Sequence, residues 1–265
     1  MNTSKLIIAL DRPSLDAGLD ILDRLPASIQ YVKVGLELFI AEGPEAVRAL
    51  QRRKKNIFLD LKLHDIPNTV ARAVAAAAKL GATLLTLHAG GGRAMMQAAA
   101  DAAKQSGRHA PKLIAVTALT SLAPPDLADL GIRRTMTDQV LALGAMALDS
   151  GLDGLVCSVH EAEILRRQFG PTPILVTPGI RPAFAQVASA VAKEAMADTS
   201  SGKPAFAGRL TGKTTADQKR IATPSMAVKA GASFLVVGRP ILDAPDPAAA
   251  AAAILNEMES AQSNS

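Results

Sequence analysis

A single (β/α)8 barrel is the fold class this sequence predicts, and three observations predict it. Short apolar runs alternate with helical patterns along the whole chain, as a parallel sheet with helical crossovers requires. Eight such runs can be counted, each with a helical segment after it. Polar residues gather at the C-terminal ends of those runs, the end at which barrels of this class carry their sites. The alternative, an open doubly wound sheet, lacks a G-x-G-x-x-G turn after its first strand.

The expected strands are Leu6–Leu10, Tyr31–Leu36, Ile57–Leu63, Thr83–His88, Leu113–Ala118, Gly154–Ser158, Ile174–Thr177 and Phe234–Val237. Asp11 closes the first and Lys33 interrupts the second. Asp60 and Lys62 end the third, His88 the fourth, and Thr117 with Thr120 the fifth. Thr177 to Arg181 follow the seventh, and Gly238, Arg239 and Pro240 the eighth. Expected helices include Asn68–Leu80, stopped by Gly81, then Arg93–Ser106, Thr137–Ser150 and a final alanine-rich Pro247–Ala261. Gly90, Gly91 and Gly92 read as a tight turn into the Arg93 helix. Leu122–Ile132, with Pro124 and Pro125, reads as a short segment over the barrel mouth.

Composition bounds the rest. At 265 residues and 49% hydrophobic content the chain can bury one large core, so residues 1–265 form one domain. Tryptophan is absent and aromatics are 3%, which predicts an aliphatic core. The single Cys157 excludes an internal disulfide framework and, in an apolar run, reads as a buried thiol in a reducing compartment. No signal-peptide core or membrane-length apolar run stands out, so the expected location is cytoplasmic, with no membrane partner. A net charge of +5 and pI near 9.5 would suit nucleic acid, but the basic residues are dispersed and stacking aromatics are few. An anionic substrate is favoured equally by that excess, and no nucleic-acid partner is expected.

One long segment does not fit the alternation. Residues 182–217 begin with a helical pattern (Phe184, Val187, Ala188, Val191, Ala195) and continue rich in glycine, small polar and basic residues. Segments of this length are uncommon in compact domains and usually serve as lids or are disordered. The expectation is an extended loop in which Ser200–Thr215 is mobile without ligand and orders when a nucleotide phosphate binds; the alternative is an insertion with no part in binding.

The most informative stretch is Ile57–Val70, I-F-L-D-L-K-L-H-D-I-P-N-T-V. Alternation sends Asp60 and Lys62 to one face and Leu59, Leu61 and Leu63 to the other. A carboxylate and an ammonium at the end of a buried strand are costly to desolvate unless paired. A structural ion pair is one reading; a third charge at Asp65, directly before a turn and a helix start, points instead to a site. A lysine set between carboxylates is favoured in its charged form, which suits a cation placed against developing negative charge. Asp60, His64 and Asp65 could also be read as metal ligands, but the intervening lysine argues against a cation, and no metal is expected. His64 has the opposite parity and reads as structural.

This stretch, D-L-K-L-H-D-I-P-N-T, closely resembles the signature of the orotidine 5'-phosphate decarboxylase family. So do A-L-D-R-P at Ala9–Pro13, V-K-V-G at Val32–Gly35, V-T-A-L-T-S at Val116–Ser121, T-P-G-I-R-P at Thr177–Pro182, D-Q-K-R-I-A-T-P at Asp217–Pro224 and V-G-R-P at Val237–Pro240. The resemblance implies cofactor-free conversion of orotidine 5'-monophosphate to uridine 5'-monophosphate in pyrimidine biosynthesis. It implies a Lys33–Asp60–Lys62–Asp65 catalytic array, with Lys62 as proton donor and Asp60 against the departing carboxylate. Lys33, Asp65 and Asp11 would bind the ribose, and Thr120 the pyrimidine edge. Arg181, Gln218, Gly238 and Arg239 would bind the phosphate. Asp65, Ile66 and Thr69 would also bind substrate, Asp65 and Thr69 in the neighbouring subunit's site, which implies a homodimer with shared sites. Three readings compete. A magnesium-dependent hexulose-phosphate synthase would keep D-x-K-x-x-D, and a Schiff-base aldolase would want a desolvated lysine. A silent phosphate-binding protein would have no need of the array.

Overall fold

In the computed structural model, residues 4–182 and 221–263 are described. Eight parallel strands close into a barrel in sequence order: β1 Lys5–Ala9, β2 Tyr31–Val34, β3 Asn56–Leu63, β4 Leu84–His88, β5 Lys112–Val116, β6 Gly154–Val156, β7 Ile174–Thr177 and β8 Phe234–Val237. Closure comes from β8 pairing with β1, with Leu6 opposite Leu235 and Ile8 opposite Val237. The expected strand centres all hold. The C-terminal ends of β1, β2, β5 and β6 stop one or two residues early, because those residues leave the ladder to form the mouth.

The helices are α1 Leu15–Arg24, α2 Leu36–Glu42, α3 Pro44–Arg52, α4 Pro67–Leu80, α5 Arg93–Gln105, α6 Pro124–Asp129, α7 Met136–Asp149, α8 Val159–Phe169, α9 Pro224–Lys229, α10 Arg239–Leu242 and α11 Pro247–Ser263. Their boundaries have local causes. Ser14, Thr135 and Thr223 cap α1, α7 and α9, each side-chain oxygen accepting a backbone N–H of the first turn. Pro67 opens α4 and Gly81 closes it in the left-handed conformation (φ 81°, ψ 30°). Gly92, at φ 85°, turns the Ala89–Gly91 one-turn 3-10 helix into α5, as the glycine run predicts. The segment 183–220, which contains nearly all of the 182–217 loop and Ser200–Thr215, lies outside the described residues.

Strand alternation divides the apolar residues into two layers. Ile8, Val32, Val34, Leu59, Leu85, Leu113, Leu155, Leu175 and Leu235 point outward and pack under the helices. Ile7, Ala9, Phe58, Leu84, Ile114, Val176, Phe234 and Val236 point inward and fill the lumen. The aliphatic core expected from composition holds for the buried residues of the outer layer, and the lumen departs from it. Phe58 and Phe234 sit in the lumen, and Tyr31 meets Phe234 edge-on with ring centroids 5.0 Å apart. Cys157 is fully buried, as its apolar context predicts.

Gly154 of β6 stands opposite Ile174 of β7 with no room for a side chain between them. A Cβ added there would strike the backbone carbonyl of Ile174, its register partner. Gly154→Ala is therefore expected to destabilise the fold by about 1–3 kcal/mol through overpacking. The check is the denaturation midpoint, and an unchanged midpoint would show that the β6–β7 spacing is adjustable.

Candidate active site

The charged residues of the mouth are the lumen pattern carried one layer further along each strand. Ala9, Phe58 and Leu84 face inward, so Asp11, Asp60 and Thr86, two residues on, share that direction; Asp11 and Asp60 reach the cavity, and Thr86 is fully buried against Asp60. Lys33 shares that direction because Val32 and Val34 both pack outward. With Lys62, Thr120, Arg181, Gly238 and Arg239, the residues Asp11, Lys33 and Asp60 line a cavity of about 510 Å³ at the C-terminal ends of the strands.

Within it the charges alternate. Lys33 Nζ donates to Asp11 Oδ1 at 2.8 Å and lies 3.5 Å from Asp60 Oδ2. Lys62 Nζ donates to the same Asp60 oxygen at 2.8 Å. The other Asp60 oxygen accepts from the Thr86 hydroxyl at 3.0 Å. Asp60 and Lys33 are both only 8% exposed. Burial alone would push the Asp60 carboxyl up. The ammoniums of Lys33 and Lys62, with the hydrogen bonds from Lys62 and Thr86, outweigh burial and hold it below the usual carboxylate range. Gly35 keeps this row open, since a Cβ there would lie 2.7 Å from Lys33 Nζ and 3.0 Å from Asp11 Oδ1.

Lys62 departs from regular strand geometry. Its φ is +50°, one of two non-glycine residues among those described with positive φ, and the β3–β4 register shifts between Leu59 and Leu63. Such a conformation costs of order 1–3 kcal/mol unless its surroundings impose it. Here the Lys62 N–H, turned away from the ladder, donates to Thr86 Oγ1 at 2.8 Å. Thr86 thus accepts from the Lys62 backbone while donating to Asp60. Sequence reasoning missed Thr86, although it is the one polar residue inside the L-L-T-L run. Arg12 and Asp243, joined at 2.7 Å at the cavity rim, were also missed.

One expectation needs correction, and several other residues stand apart from the cavity. The ion pairs described for Lys62 include Asp60 and not Asp65, so within one chain Lys62 is not clasped between two carboxylates. Asp65 accepts from the N–H of Ile66 at 2.6 Å, and Asp65, Ile66 and Thr69 are exposed and do not line the cavity. The reason is geometric: β3 ends at Leu63 and the chain turns outward into α4. Thr117 and Thr177 do not line it either. Their hydroxyls donate to the backbone carbonyls of Val156 and Phe234. Nor does α6, where Leu119 and Thr120 just before it supply the wall. His64 is exposed and packs against His88 with ring centroids 5.3 Å apart. Burial holds His88 below the usual imidazole range, and His64 and Lys62 lower it further against the opposing pull of Asp60. Gln218 lies outside the described residues. No group of three or more His, Cys, Asp or Glu suited to a metal ion is found among the described residues. No described helix is long and apolar enough to cross a membrane.

Fold and site together define a (β/α)8-barrel protein with a row of alternating charges at its C-terminal mouth. The chain belongs to the orotidine 5'-phosphate decarboxylase / HUMPS family, whose model matches residues 4–209 and 188–254. It is 44% identical over 260 residues to an orotidine 5'-phosphate decarboxylase of Moorella thermoacetica, covering 96% of this chain and 92% of that protein. It is 43% identical over 254 residues to one of Shewanella sediminis, covering 96% and 97%. The crystal structure of an orotidine 5'-phosphate decarboxylase from Lactobacillus acidophilus superposes with a TM-score of 0.76 at 38% identity, covering 96% of this chain and 99% of that one.

Thr86→Val removes a hydrogen bond to an ionised group and the acceptor of the Lys62 N–H. A loss of roughly 1.5–3 kcal/mol is expected near neutral pH. The sign with pH follows from Asp60. Its depressed value means that its contribution is present above the ordinary carboxylate range and is lost as pH falls through the folded value. The gap between wild type and Thr86→Val should therefore narrow in acid, as urea midpoints across pH would record. A gap that widened in acid would place the effect elsewhere.

Proposed function

We propose that this protein decarboxylates orotidine 5'-monophosphate to uridine 5'-monophosphate and carbon dioxide, in pyrimidine biosynthesis and without a cofactor. The observation that carries the reading is the Asp11–Lys33–Asp60–Lys62 row in the barrel mouth of a chain of this family. Loss of carbon dioxide from C6 breaks one C–C bond and leaves its electron pair on a ring carbon that delocalises it poorly. The Lys62 ammonium stands where that charge develops and gives C6 its proton, and lysine then regains a proton from water. The Asp60 carboxylate faces the departing carboxylate and, by its pairing with both lysines, keeps them in place before reaction. Lys33 and Asp11 hold the ribose hydroxyls, and Thr120 the pyrimidine edge. Arg181, Gly238, Arg239 and Gln218 hold the phosphate, whose remote binding energy supports the reacting geometry.

The same reading includes a homodimer with shared sites, in which Asp65 and Thr69 complete the partner's pocket. Support comes from their exposure outside their own chain's cavity, and from Ile66 at 66%, Ile40 at 80% and Leu36 at 49% exposed on the segments after β2 and β3. Large apolar side chains so exposed on neighbouring rims fit an interface.

The loss of orotidine 5'-monophosphate absorbance tests the activity. Turnover undiminished by a chelator is expected, whereas a chelator-sensitive aldol reaction with no decarboxylation would favour the hexulose-phosphate alternative. Lys62→Ala should lower kcat by at least about 10³-fold with the fold intact. Preserved activity in a folded variant would sink the role of Lys62. Mixing inactive Lys62→Ala and Asp65→Ala chains should restore activity, because one site of each hybrid dimer carries neither lesion. No recovery despite proven subunit exchange would count against sharing.

A further inference from the structure

Arg12 and Asp243 lie on the cavity rim after the ends of β1 and β8, neighbouring strands. One guanidinium nitrogen of Arg12 donates both to Asp243 Oδ1 and to the backbone carbonyl of Leu242, each at 2.7 Å. Arg12 is 23% exposed and Asp243 52%. An isolated ion pair this exposed contributes little by itself. The Leu242 contact changes its meaning, because Leu242 is the last residue of α10, and Arg239 is the first.

α10 is a single turn. Its order rests on a few bonds, from the N–H groups of Ile241 and Leu242 to the Gly238 carbonyl and from that of Asp243 to the Arg239 carbonyl. One turn of helix cannot hold itself against the cost of nucleation, so its position must come from outside. Ile241 and Leu242 are buried and anchor its apolar side. On the polar side, Arg12 satisfies a last-turn carbonyl that has no helical partner and joins the turn to the Asp11 loop. Gly238 lies against the end of β1: a Cβ there would make ordinary contacts, 3.5 Å from Ala9 Cβ and 3.8 Å from Asp11 Oδ2.

We propose that Arg12 is a positioning residue. It straps α10 to the loop after β1 and so sets where Arg239 stands relative to Asp11 and Lys33. The inference rests on the reading above, in which Arg239 holds the substrate phosphate and Asp11 and Lys33 the ribose. Substrate then meets a phosphate ligand held at a fixed distance from the ribose ligands, and the strap matters to nucleotides while leaving nucleosides indifferent.

The experiment measures dissociation constants of uridine 5'-monophosphate by calorimetry and of uridine by NMR, for wild type, Arg12→Gln, Asp243→Ala and the double variant. Arg12→Gln should weaken the nucleotide about tenfold, the equivalent of losing one charge-assisted hydrogen bond, and leave uridine unchanged. Asp243→Ala should lose less, because the Leu242 carbonyl still receives Arg12. The double variant should lose no more than Arg12→Gln, since both act through one contact. Unchanged nucleotide affinity in Arg12→Gln overturns the proposal. So does an equal loss for uridine, which would signal general distortion, and so do strictly additive losses. Turnover of orotidine 5'-monophosphate by wild type is read separately. If wild type turns over substrate while Arg12→Gln binds normally, the strap alone is wrong. If wild type neither binds the nucleotide nor consumes substrate, the proposed function fails and the strap's role falls with it.

Discussion

The mouth of this barrel depends on one carboxylate. Asp60 is nearly buried, and a buried carboxylate is tolerated only when charge and hydrogen bonds compensate for lost water. Lys33 and Lys62 supply the charge from one side, and Thr86 supplies a hydroxyl from the other. The dependence is mutual. Two ammonium groups share one Asp60 oxygen, and without it their repulsion would drive them apart. Asp11 extends the row by pairing with Lys33, so four charged residues from the ends of three adjacent strands form one alternating array.

The barrel makes that array possible by a division of labour along each strand. Inward positions at the bottom and middle carry apolar side chains, including the rings of Phe58, Phe234 and Tyr31, which close the lumen. The next inward positions carry Asp11, Asp60 and Thr86. A dry floor beneath a charged layer strengthens the electrostatics of everything above it. Local strain is part of the arrangement. Lys62 holds a positive φ because the register shift in β3 turns its N–H toward Thr86, which places the side chain back over Asp60.

The two rims of the cavity differ. On the β8–β1 side the chain supplies its own polar wall, with Gly238 and Arg239 joined to the Asp11 loop through Arg12. On the β3 side the chain leaves the mouth as soon as Leu63 is passed, and Asp65, Ile66 and Thr69 face solvent. Under the proposed dimer, that second rim is where another copy would contribute. The asymmetry explains why one chain contains the Asp60 and Lys62 pair intact while the last carboxylate of the D-L-K-L-H-D motif stands apart.

Much of this was legible in the residues themselves. Alternation along I-F-L-D-L-K-L placed Asp60 and Lys62 on one face, and the 2.8 Å contact between them agrees. The order of apolar runs and helical patterns determined a barrel, because period and punctuation are local properties that survive in one dimension. The polar strand ends likewise identified Asp11, Lys33, Thr120, Arg181 and Arg239 as neighbours in space. Other things were decided only by tertiary structure. Whether Thr117 and Thr177 face the cavity or serve a backbone carbonyl depends on a neighbouring strand, which sequence spacing does not encode. The role of Thr86 depends on a register shift in β3, and that of Arg12 on a helix end about 230 residues away in the chain. Asp65 reads in sequence as one of a clasping pair, but the outward turn into α4 separates it from Lys62. Spacing along a strand determines direction, whereas partnership between residues requires the closed sheet that brings distant segments within hydrogen-bond reach.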